Sequence, residues 1–236
     1  MSALAAGSLA RRELVRFFRQ RSRLIGALGT PLIFWTLVGS GFGYLAYLFP
    51  GTLVQIVLFA SIFSTISIIE DRREGFLQGV LVAPVSRSAV VLGKVLGGTA
   101  IALVQGALFL LLAPAVGIRP SVPDLLATLG ILAAVAFGLT GLGVALAWRF
   151  DSIQGFHAIM NLFLIPLWLL SGAVFPPDRA AGWVKAAMVA NPLTYGVSAL
   201  RRSLTGEGPA LPVSLAVVGA FGLATFLLAV ASARRR

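Results

Sequence analysis

The sequence predicts an all-α, polytopic membrane protein with six transmembrane helices, an N-terminal amphipathic interface helix and short re-entrant helices before the last span. The first observation behind this class is composition. Hydrophobic residues make up 58% of the chain and charged residues 11%, whereas a soluble domain carries about 25% charged residues. The second is that uncharged stretches recur along the chain, each long enough for a bilayer crossing of roughly 20 residues.

Residues 1–23 predict the interface helix. Four arginines lie three or four positions apart and share one helical stripe: Arg12, Arg16, Arg19 and Arg23. Phe17 and Phe18 lie on another stripe. Such a helix places its arginines at lipid phosphates and its rings at the acyl boundary. A role in binding a partner subunit is the alternative.

The spans follow from the uncharged stretches. The first runs from Leu24 to Ile69 and is too long for one crossing of a hydrocarbon core of roughly 30 Å. Because proline and glycine favour a turn, Phe49-Pro50-Gly51 is predicted to divide it. The predicted spans are residues 24–48, 52–69, 91–114, 125–148, 152–174 and 210–233, within one membrane domain of residues 1–236.

The basic residues predict the orientation. The chain carries a net charge of +11, and 14 of its 19 basic residues lie on the side of the N-terminus if six spans are counted. Because arginine and lysine concentrate in cytoplasmic flanks, both termini are predicted to be cytoplasmic. Anionic lipid head groups explain the excess charge better than a nucleic acid does, because the charges lie between apolar stretches.

The predicted cytoplasmic loop, residues 70–90, combines charge with an apolar stripe. Five successive charged residues are followed by four apolar residues with helical spacing: Glu70, Asp71, Arg72, Arg73 and Glu74, then Phe76, Leu77, Val80 and Leu81. Pro84 ends this short helix, and Ser86 is predicted to cap the next one. Apolar residues on a cytoplasmic helix have to be buried, in a groove on another protein or, as the alternative, in the membrane surface.

Residues 175–209 form the predicted outer re-entrant segment. Asn191 and Pro192 are typical of an N-cap and a first helical position. Tyr195 suits the boundary between head groups and acyl chains. Short helices here are predicted to enter the outer leaflet and return.

One face of the fifth predicted span is polar. Gln154, His157 and Asn161 lie at steps of three and four. They are predicted to line a substrate path or to contact a second copy of the chain, and hydrogen bonds within the same bundle remain the alternative. Gln55 and Gln105 have the same interpretation. Gly93 and Gly97 have the spacing of a small-residue packing motif.

Several kinds of chemistry are excluded. The chain has no cysteine and one histidine, so thiol catalysis, disulfides and multi-histidine metal sites are not expected. Ser171 and His157 would lie about 21 Å apart along one helix, too far for a catalytic pair. A phosphate-binding loop is missing around Gly93-Lys94. The chain is therefore predicted to have no catalytic residues and to bind no nucleotide.

Three stretches resemble the permease subunits of type-2 ATP-binding-cassette exporters, closest to the branch that moves drugs and lipo-oligosaccharides. They are Tyr47 to Gly51, Glu70 to Arg87, and Asn191-Pro192-Leu193-Thr194-Tyr195 with Ala199 to Arg201. The resemblance implies six spans with both ends inside, an amphipathic helix before the first and two re-entrant helices before the sixth. It also implies a bacterial inner membrane location.

The resemblance further implies that residues 70–90 carry a coupling helix bound by a separate ATPase subunit. The residues expected to serve this coupling are Glu70, Asp71, Arg72, Arg73, Glu74, Phe76, Leu77, Val80, Leu81, Pro84, Ser86 and Arg87. Two permeases, expected to be identical, would pair with two ATPases that hold ATP and Mg, and this chain would bind no cofactor of its own. The first outer loop, Tyr44 to Pro50, is shorter than that branch suggests, so substrate identity does not transfer.

The main hypothesis is therefore the membrane subunit of an ATP-driven exporter for a hydrophobic or amphipathic substrate such as a drug, lipid or lipid-linked glycan. Its expected partners are ATPase subunits, a second copy of the chain and membrane lipids, with no nucleic acid. The alternative is a self-sufficient secondary transporter or channel that uses the polar face of the fifth span. The scarcity of acidic residues inside the spans speaks against a proton- or sodium-driven carrier.

Overall fold

The protein is described from a computed structural model that covers residues 2–19, 21–82, 85–209 and 211–234. These residues form α-helices joined by short turns and contain no strand, which confirms the all-α class. Pro84, predicted to end the short cytoplasmic helix, lies outside the described residues, and so do the side chains of Arg23 and Leu81.

Eleven α-helices follow one another in the described part of the chain. They are α1 (Ser2–Arg19), α2 (Arg21–Phe42), α3 (Leu45–Ser64), α4 (Ile66–Arg73), α5 (Phe76–Val82), α6 (Arg87–Leu110), α7 (Val122–Ala147), α8 (Ile153–Trp168), α9 (Gly182–Ala190), α10 (Pro192–Thr205) and α11 (Leu211–Arg234). A kinked turn, Leu169–Ala173, extends α8.

Five helical segments in the described residues are long and apolar enough to cross a membrane. They are Leu45–Arg73, Arg87–Leu110, Val122–Ala147, Ile153–Ala173 and Leu211–Arg234. Within α2, the described residues Leu28–Phe42 form a further apolar helical stretch. The structure thus supports a multi-pass membrane protein with five candidate spans, and the sixth span, at residues 24–48, stays a prediction.

The turn between the first two predicted spans is not at Pro50-Gly51. The chain turns at Gly43, whose φ of 68° is a left-handed conformation that glycine adopts without steric cost. Pro50 is buried inside α3, where packing against neighbouring helices offsets the hydrogen bond that proline cannot donate. Gly51 permits a close approach, because a Cβ at this position would lie 2.6 Å from the carbonyl oxygen of Ala173. The prediction was wrong because the two residues serve packing and not a turn.

Buried aromatic rings join the first helices to the centre of the fold. The rings of Phe49 and Phe109 stack with centroids 4.8 Å apart. Trp35 packs edge-on against Phe109 at 5.3 Å, and its indole N–H donates to the carbonyl oxygen of Leu45 at 2.9 Å. Such geometries are favourable for aromatic pairs. They connect α2, α3 and α6.

Helix α1 packs directly against α6 across Gly93 and Gly97. A Cβ on Gly93 would lie 2.8 Å from the carbonyl oxygen of Ala6, and a Cβ on Gly97 would lie 2.8 Å from Cβ of Glu13. The two glycines therefore let the helices approach more closely than side chains would allow. This confirms the packing role predicted from their spacing, while the position of α1 at the membrane interface stays a prediction.

We expect Gly93→Ala and Gly97→Ala to lower the stability of the protein by about 1–3 kcal/mol, because the added methyl groups would overlap α1. Gly130→Ala is the matched control, since a Cβ at Gly130 meets no atom within 4 Å and alanine favours a helix. Thermal unfolding of the purified variants in lipid nanodiscs measures both effects. Equal stability of all three variants would contradict the close packing of α1 on α6.

Candidate functional site

A buried group of charged side chains joins α1, α4 and α6. The side chain of Asp71, on α4, is completely buried. The Arg12 guanidinium donates to its two carboxylate oxygens at 2.9 and 2.8 Å, and Arg16 donates to Oδ1 at 3.1 Å. The Lys94 ammonium also contacts this carboxylate and donates to the Ser67 hydroxyl at 3.2 Å. Asp71 therefore accepts from cations on two other helices.

Two further carboxylates complete this group. Glu13 accepts from Lys94 Nζ at 2.7 Å, and Glu70 pairs with Arg16 at 3.0 Å. We call the six charged residues the ion cluster: Arg12, Glu13, Arg16, Glu70, Asp71 and Lys94. Three cations face three carboxylates, so the cluster is neutral, as burial in an apolar environment demands.

The ion cluster changes the roles predicted for four residues. Arg12 and Arg16 bind carboxylates of the same chain instead of lipid phosphates. The hydrogen bond with Asp71 raises the pKa of Arg12 above its ordinary value. Glu70 and Asp71, expected at an ATPase contact, pair inside the protein. Arg19 lies on the exposed side of α1.

Sequence reasoning missed Glu13 and Lys94. The available signal was the position of Lys94 within an otherwise uncharged helical stretch, because a charge placed there needs a partner. Nothing local to the sequence identifies Glu13 as that partner, since 81 residues separate the two side chains.

Arg72 and Arg73 bind the end of α7. Arg72 donates to the carbonyl oxygen of Trp148 at 3.0 Å and pairs with the Asp151 carboxylate at 3.1 Å. Arg73 donates to the Asp151 carbonyl oxygen at 2.6 Å. Because the last carbonyls of a helix lack partners within the helix, arginines are favourable there. Both residues were expected to contact an ATPase, and in the structure they fasten α4 to the α7–α8 connection.

Helix α5 follows α4 and confirms the short helix predicted in the cytoplasmic loop. Leu77 is only 2% exposed and packs in the core of the chain, so it is not a surface residue available to a partner. Phe76 is 37% exposed, and the Arg12 guanidinium lies 3.8 Å from the centroid of its ring. Val80 is partly buried against the core. Val82 is 86% exposed.

The next helix begins as the sequence predicts. The Ser86 hydroxyl accepts from the backbone N–H of Ala89 at 3.3 Å and caps α6. Arg87 Nη1 donates to the carbonyl oxygen of Ala233 at 2.5 Å, which connects α6 to the end of α11. Arg87 therefore has an internal partner.

A cavity of about 590 Å³ lies among α2, α3, α6 and α8, with the ion cluster at one side. Its volume falls within the range of ligand pockets, roughly 300–1,000 Å³. His157 and Asn161 line it, together with Gln55 and Gln105. Gln154 does not, since its Oε1 accepts from the Ser152 hydroxyl at 3.2 Å beside the start of α8. The structure thus brings together two of the three polar residues predicted on this face.

Two glutamines in the cavity wall have amide atoms without a hydrogen-bond partner among the described residues. Gln105 is 1% exposed, and neither its Nε2 nor its Oε1 is paired. The same holds for Oε1 of Gln55. The aromatic rings of Phe59 and Phe63 form part of the same wall, and the His157 ring packs against Phe63 with centroids 4.5 Å apart. The described residues include no group of three or more histidine or acidic side chains that could hold a metal ion.

The segment before α11 has the local structure predicted for it. Asn191 caps α10 by accepting from the backbone N–H of Leu193 at 3.0 Å, and Pro192 is the first helical residue. The Asn191 amide also donates to the carbonyl oxygen of Leu167 at 2.6 Å, within α8. The Tyr195 hydroxyl donates to the carbonyl oxygen of Val189 at 3.1 Å. Asn191 thus fixes α9 and α10 against the end of α8, and their entry into the membrane stays a prediction.

Comparison with known proteins gives consistent similarities. The ABC-2 type transporter family profile matches residues 5–205. A protein described as a transport permease, ycf38 of Cyanophora paradoxa, is 27% identical over 82% of this chain and 71% of its own length. Nodulation protein J of Sinorhizobium fredii is 26% identical over 90% of this chain and 86% of its own. The daunorubicin resistance ABC transporter permease protein DrrB1 of Streptomyces coeruleorubidus is 26% identical over 90% and 79%.

We expect Asp71→Asn to lower the free energy of unfolding by about 3–5 kcal/mol, because it leaves buried cations without their carboxylate. The matched control is Glu74→Gln. The Glu74 side chain is 60% exposed and lies 3.6 Å from Arg16, so its loss should cost less than about 1 kcal/mol. Unfolding of the two variants in nanodiscs compares them directly. Equal losses would show that the ion cluster does not hold α1, α4 and α6 together.

Proposed function

This chain belongs to the ABC-2 type transporter family, and from this premise we propose that it is the permease of an ATP-driven exporter that works with separate ATPase subunits. Membership in the family and similarity to transport permeases make it a transmembrane subunit of an ABC transporter. The coupling to a partner ATPase, the direction of transport and the substrate are the proposed parts.

The observation that carries the coupling proposal is the exposed face of α5. This seven-residue helix exposes Val82 at 86% and leaves Gln78 and Gly79 exposed, while Leu77 anchors the opposite face in the core. An apolar side chain exposed on such a short helix suits a groove on another protein. The docking residues on the described part of α5 are therefore Phe76, Gln78, Gly79 and Val82.

The attachments of α4 support a mechanical role for α5. Arg72 and Arg73 hold the end of α4 to the α7–α8 connection, and Asp71 holds it to α1 and α6. A push on α5 would thus act on a rigid assembly of several helices and would not be absorbed by a loose loop. ATP and Mg would be held by the ATPase, and this chain contributes the contact surface.

We also propose that α8 meets a second copy of the chain. In the most apolar 18-residue stretch of Ile153–Ala173, only 22% of the residues are buried within the protomer. The corresponding share in Leu45–Arg73 is 83%. The exposed face carries Asn161 beside Leu162 and Phe163. An exposed amide in lipid is unfavourable and favours a protein partner at this position. The second copy would complete the transport path.

The proposed substrates are hydrophobic or amphipathic molecules, moved outward across a bacterial inner membrane with both termini of the chain in the cytoplasm. One similar protein is named for daunorubicin resistance, which supports a drug as one substrate class. The mixed lining of the cavity, with amides and phenyl rings, is compatible with an amphipathic molecule.

We expect Val82→Asp to reduce copurification of the ATPase encoded nearest to this chain by about tenfold or more, because a carboxylate would be buried in the apolar contact. Val122→Asp is the matched control, since Val122 is 71% exposed and begins α7, away from the α5 surface. Copurification from cells that express both subunits is the measurement. Unchanged recovery of the ATPase would remove α5 as the coupling element, and transport by the purified chain alone would contradict the whole proposal.

We expect Asn161→Cys to form disulfide-linked dimers on mild oxidation in membranes, because α8 would face its equivalent in the second copy. The natural chain has no cysteine, so a disulfide can form only between the introduced cysteines of two copies. Leu223→Cys is the control, since Leu223 is 61% exposed on α11. Dimers on non-reducing gels with Asn161→Cys alone are the expected result. Absence of dimers with Asn161→Cys, or equal yields at the two positions, would contradict a specific α8 contact.

A further inference from the structure

We propose that the candidate span Leu45–Arg73 contains a hinge, at which α4 and α5 turn relative to α3 between two arrangements of the protein. The hinge consists of small residues from three helical segments that meet at one level: Ser64, Thr65, Gly98, Thr140 and Gly143. Such a hinge goes beyond the proposed function, because it is a property of the chain itself and does not require an ATPase.

The backbone of the span is interrupted at Thr65, since α3 ends at Ser64 and α4 begins at Ile66. The Thr65 N–H donates to the carbonyl oxygen of Ile62 at 3.1 Å. The Ile68 N–H donates to the carbonyl oxygen of Thr65 at 3.0 Å. Both bonds join residues three positions apart, whereas the bonds of an α-helix join residues four apart. A stretch of this kind inside a helix often marks a functional hinge.

Two hydroxyl groups account for this interruption. Ser64 Oγ donates to the carbonyl oxygen of Ser61 at 2.7 Å, and Thr65 Oγ1 donates to that of Ile62 at 2.6 Å. Such side-chain bonds compete with the backbone bonds of a helix and bend it. Because a hydroxyl rotates to suit its partners, these bonds can be exchanged for others while the rest of the helix stays folded.

Neighbouring helices approach the interruption through glycines. A Cβ on Gly98 of α6 would overlap Ser64 Oγ, and a Cβ on Gly143 of α7 would lie 2.9 Å from Thr65 Oγ1. Helix α6 carries a second glycine, Gly97, directly before Gly98, and glycine permits backbone conformations that other residues resist. The part of α6 that belongs to the ion cluster can therefore turn together with α4.

Thr140 indicates that a second arrangement exists. Its side chain is completely buried, and its hydroxyl has no hydrogen-bond partner among the described residues. The other four buried threonines in that part of the chain are all paired: Thr52, Thr65, Thr128 and Thr225. Because an unpaired buried hydroxyl is unfavourable, an arrangement that gives Thr140 a partner would gain free energy relative to the one in the structure.

Ser64 is the partner that Thr140 would gain. Both hydroxyls lie beside Gly98, where a Cβ would be 3.3 Å from Thr140 Oγ1 and would overlap Ser64 Oγ. Ser64 uses its hydrogen in the bond to Ser61, so its oxygen can accept a hydrogen bond from Thr140. A small turn at the hinge that moves Ser64 toward α7 would form this bond and stabilise the second arrangement.

The hinge lies between two parts of the chain with different roles. Gln55, Phe59 and Phe63 on α3 line the cavity, whereas Asp71 on α4 belongs to the ion cluster. A turn between these parts would change the shape of the cavity wall whenever α4 and α5 move.

The test measures the two arrangements in the full chain, in lipid nanodiscs without ATPase or ATP, so failure of ATPase binding would not affect it. Gln78→Cys on α5 and Lys185→Cys on α9 supply two exposed positions for nitroxide labels in a chain without natural cysteine. An excess of unlabelled chain ensures that pulsed dipolar EPR reports distances within one copy. We expect two distances, one that corresponds to the structure and one that corresponds to the second arrangement.

Thr140→Val should reduce the population of the second arrangement by about five- to tenfold, as expected for the loss of one hydrogen bond. Ser64→Ala should reduce it as well, and the double variant should reduce it no further than Thr140→Val alone, because both changes remove the same bond. Thr52→Val is the matched control. The Thr52 hydroxyl donates to the carbonyl oxygen of Leu48 at 3.0 Å, away from the hinge, so both populations should stay unchanged.

A single distance in the natural chain, or an unchanged population in Thr140→Val, would overturn the hinge. Additive effects of the two substitutions would overturn the bond between Thr140 and Ser64.

Thermal unfolding of the same variants supplies a second readout. Thr140→Val should unfold at the same temperature as the natural chain or higher, because valine has a similar shape and removes an unpaired hydroxyl. Thr52→Val should unfold at a lower temperature, because it loses a bond that the structure contains. A lower unfolding temperature for Thr140→Val would mean that its hydroxyl is already paired, and the second arrangement would then lose its driving force.

Discussion

Charge buried in an apolar chain has to be paired within that chain, and this constraint organises the structure. Asp71 lies completely buried near the end of the candidate span Leu45–Arg73, where an uncompensated carboxylate would cost several kcal/mol. Its partners come from α1 and α6, so pairing determines where α1 can lie. The glycines at positions 93 and 97 make that position sterically possible. Electrostatics and close packing thus select the same arrangement.

The sequence predicts those structural features that depend on residues adjacent in the chain. Ser86 and Asn191 cap helices as their identities indicate. These caps were predictable because a cap is set by a few consecutive residues. The pairing of Arg12 with Asp71 spans 59 residues, and an arginine stripe indicates only that a partner is required. From the sequence alone, lipid phosphates and carboxylates of the same chain are equally suitable partners for these arginines.

Pro50 and Gly51 show a second reason why the sequence does not predict the whole fold, namely that packing between helices changes the role of a residue. In sequence they indicate a turn, because water-exposed helices rarely tolerate the pair. In the fold, Pro50 is buried inside α3, and the neighbouring Gly51 carbonyl oxygen accepts from Trp168 Nε1 at 2.8 Å, so α8 packs directly against this part of α3. The same reasoning explains the cavity. The spacing of His157 and Asn161 predicted a polar face, but only the packing of α3, α6 and α8 brings Gln55 and Gln105 to it.

The ion cluster and the cavity are adjacent, and this connects the two ends of the proposed mechanism. Phe76 on α5 contacts Arg12, Arg12 shares Asp71 with Arg16, and Arg16 lines the cavity. Contiguity alone does not establish coupling, which also requires an element with two arrangements that both ends bias. The assembly of α1, α4 and α6 around Asp71 is suited to be that element, because the ion pairs of Asp71 with Arg12, Arg16 and Lys94 hold the three helices together. Leu77 anchors α5 to the same core, so a force on α5 would act on this assembly as a unit and displace Arg16 at the cavity wall.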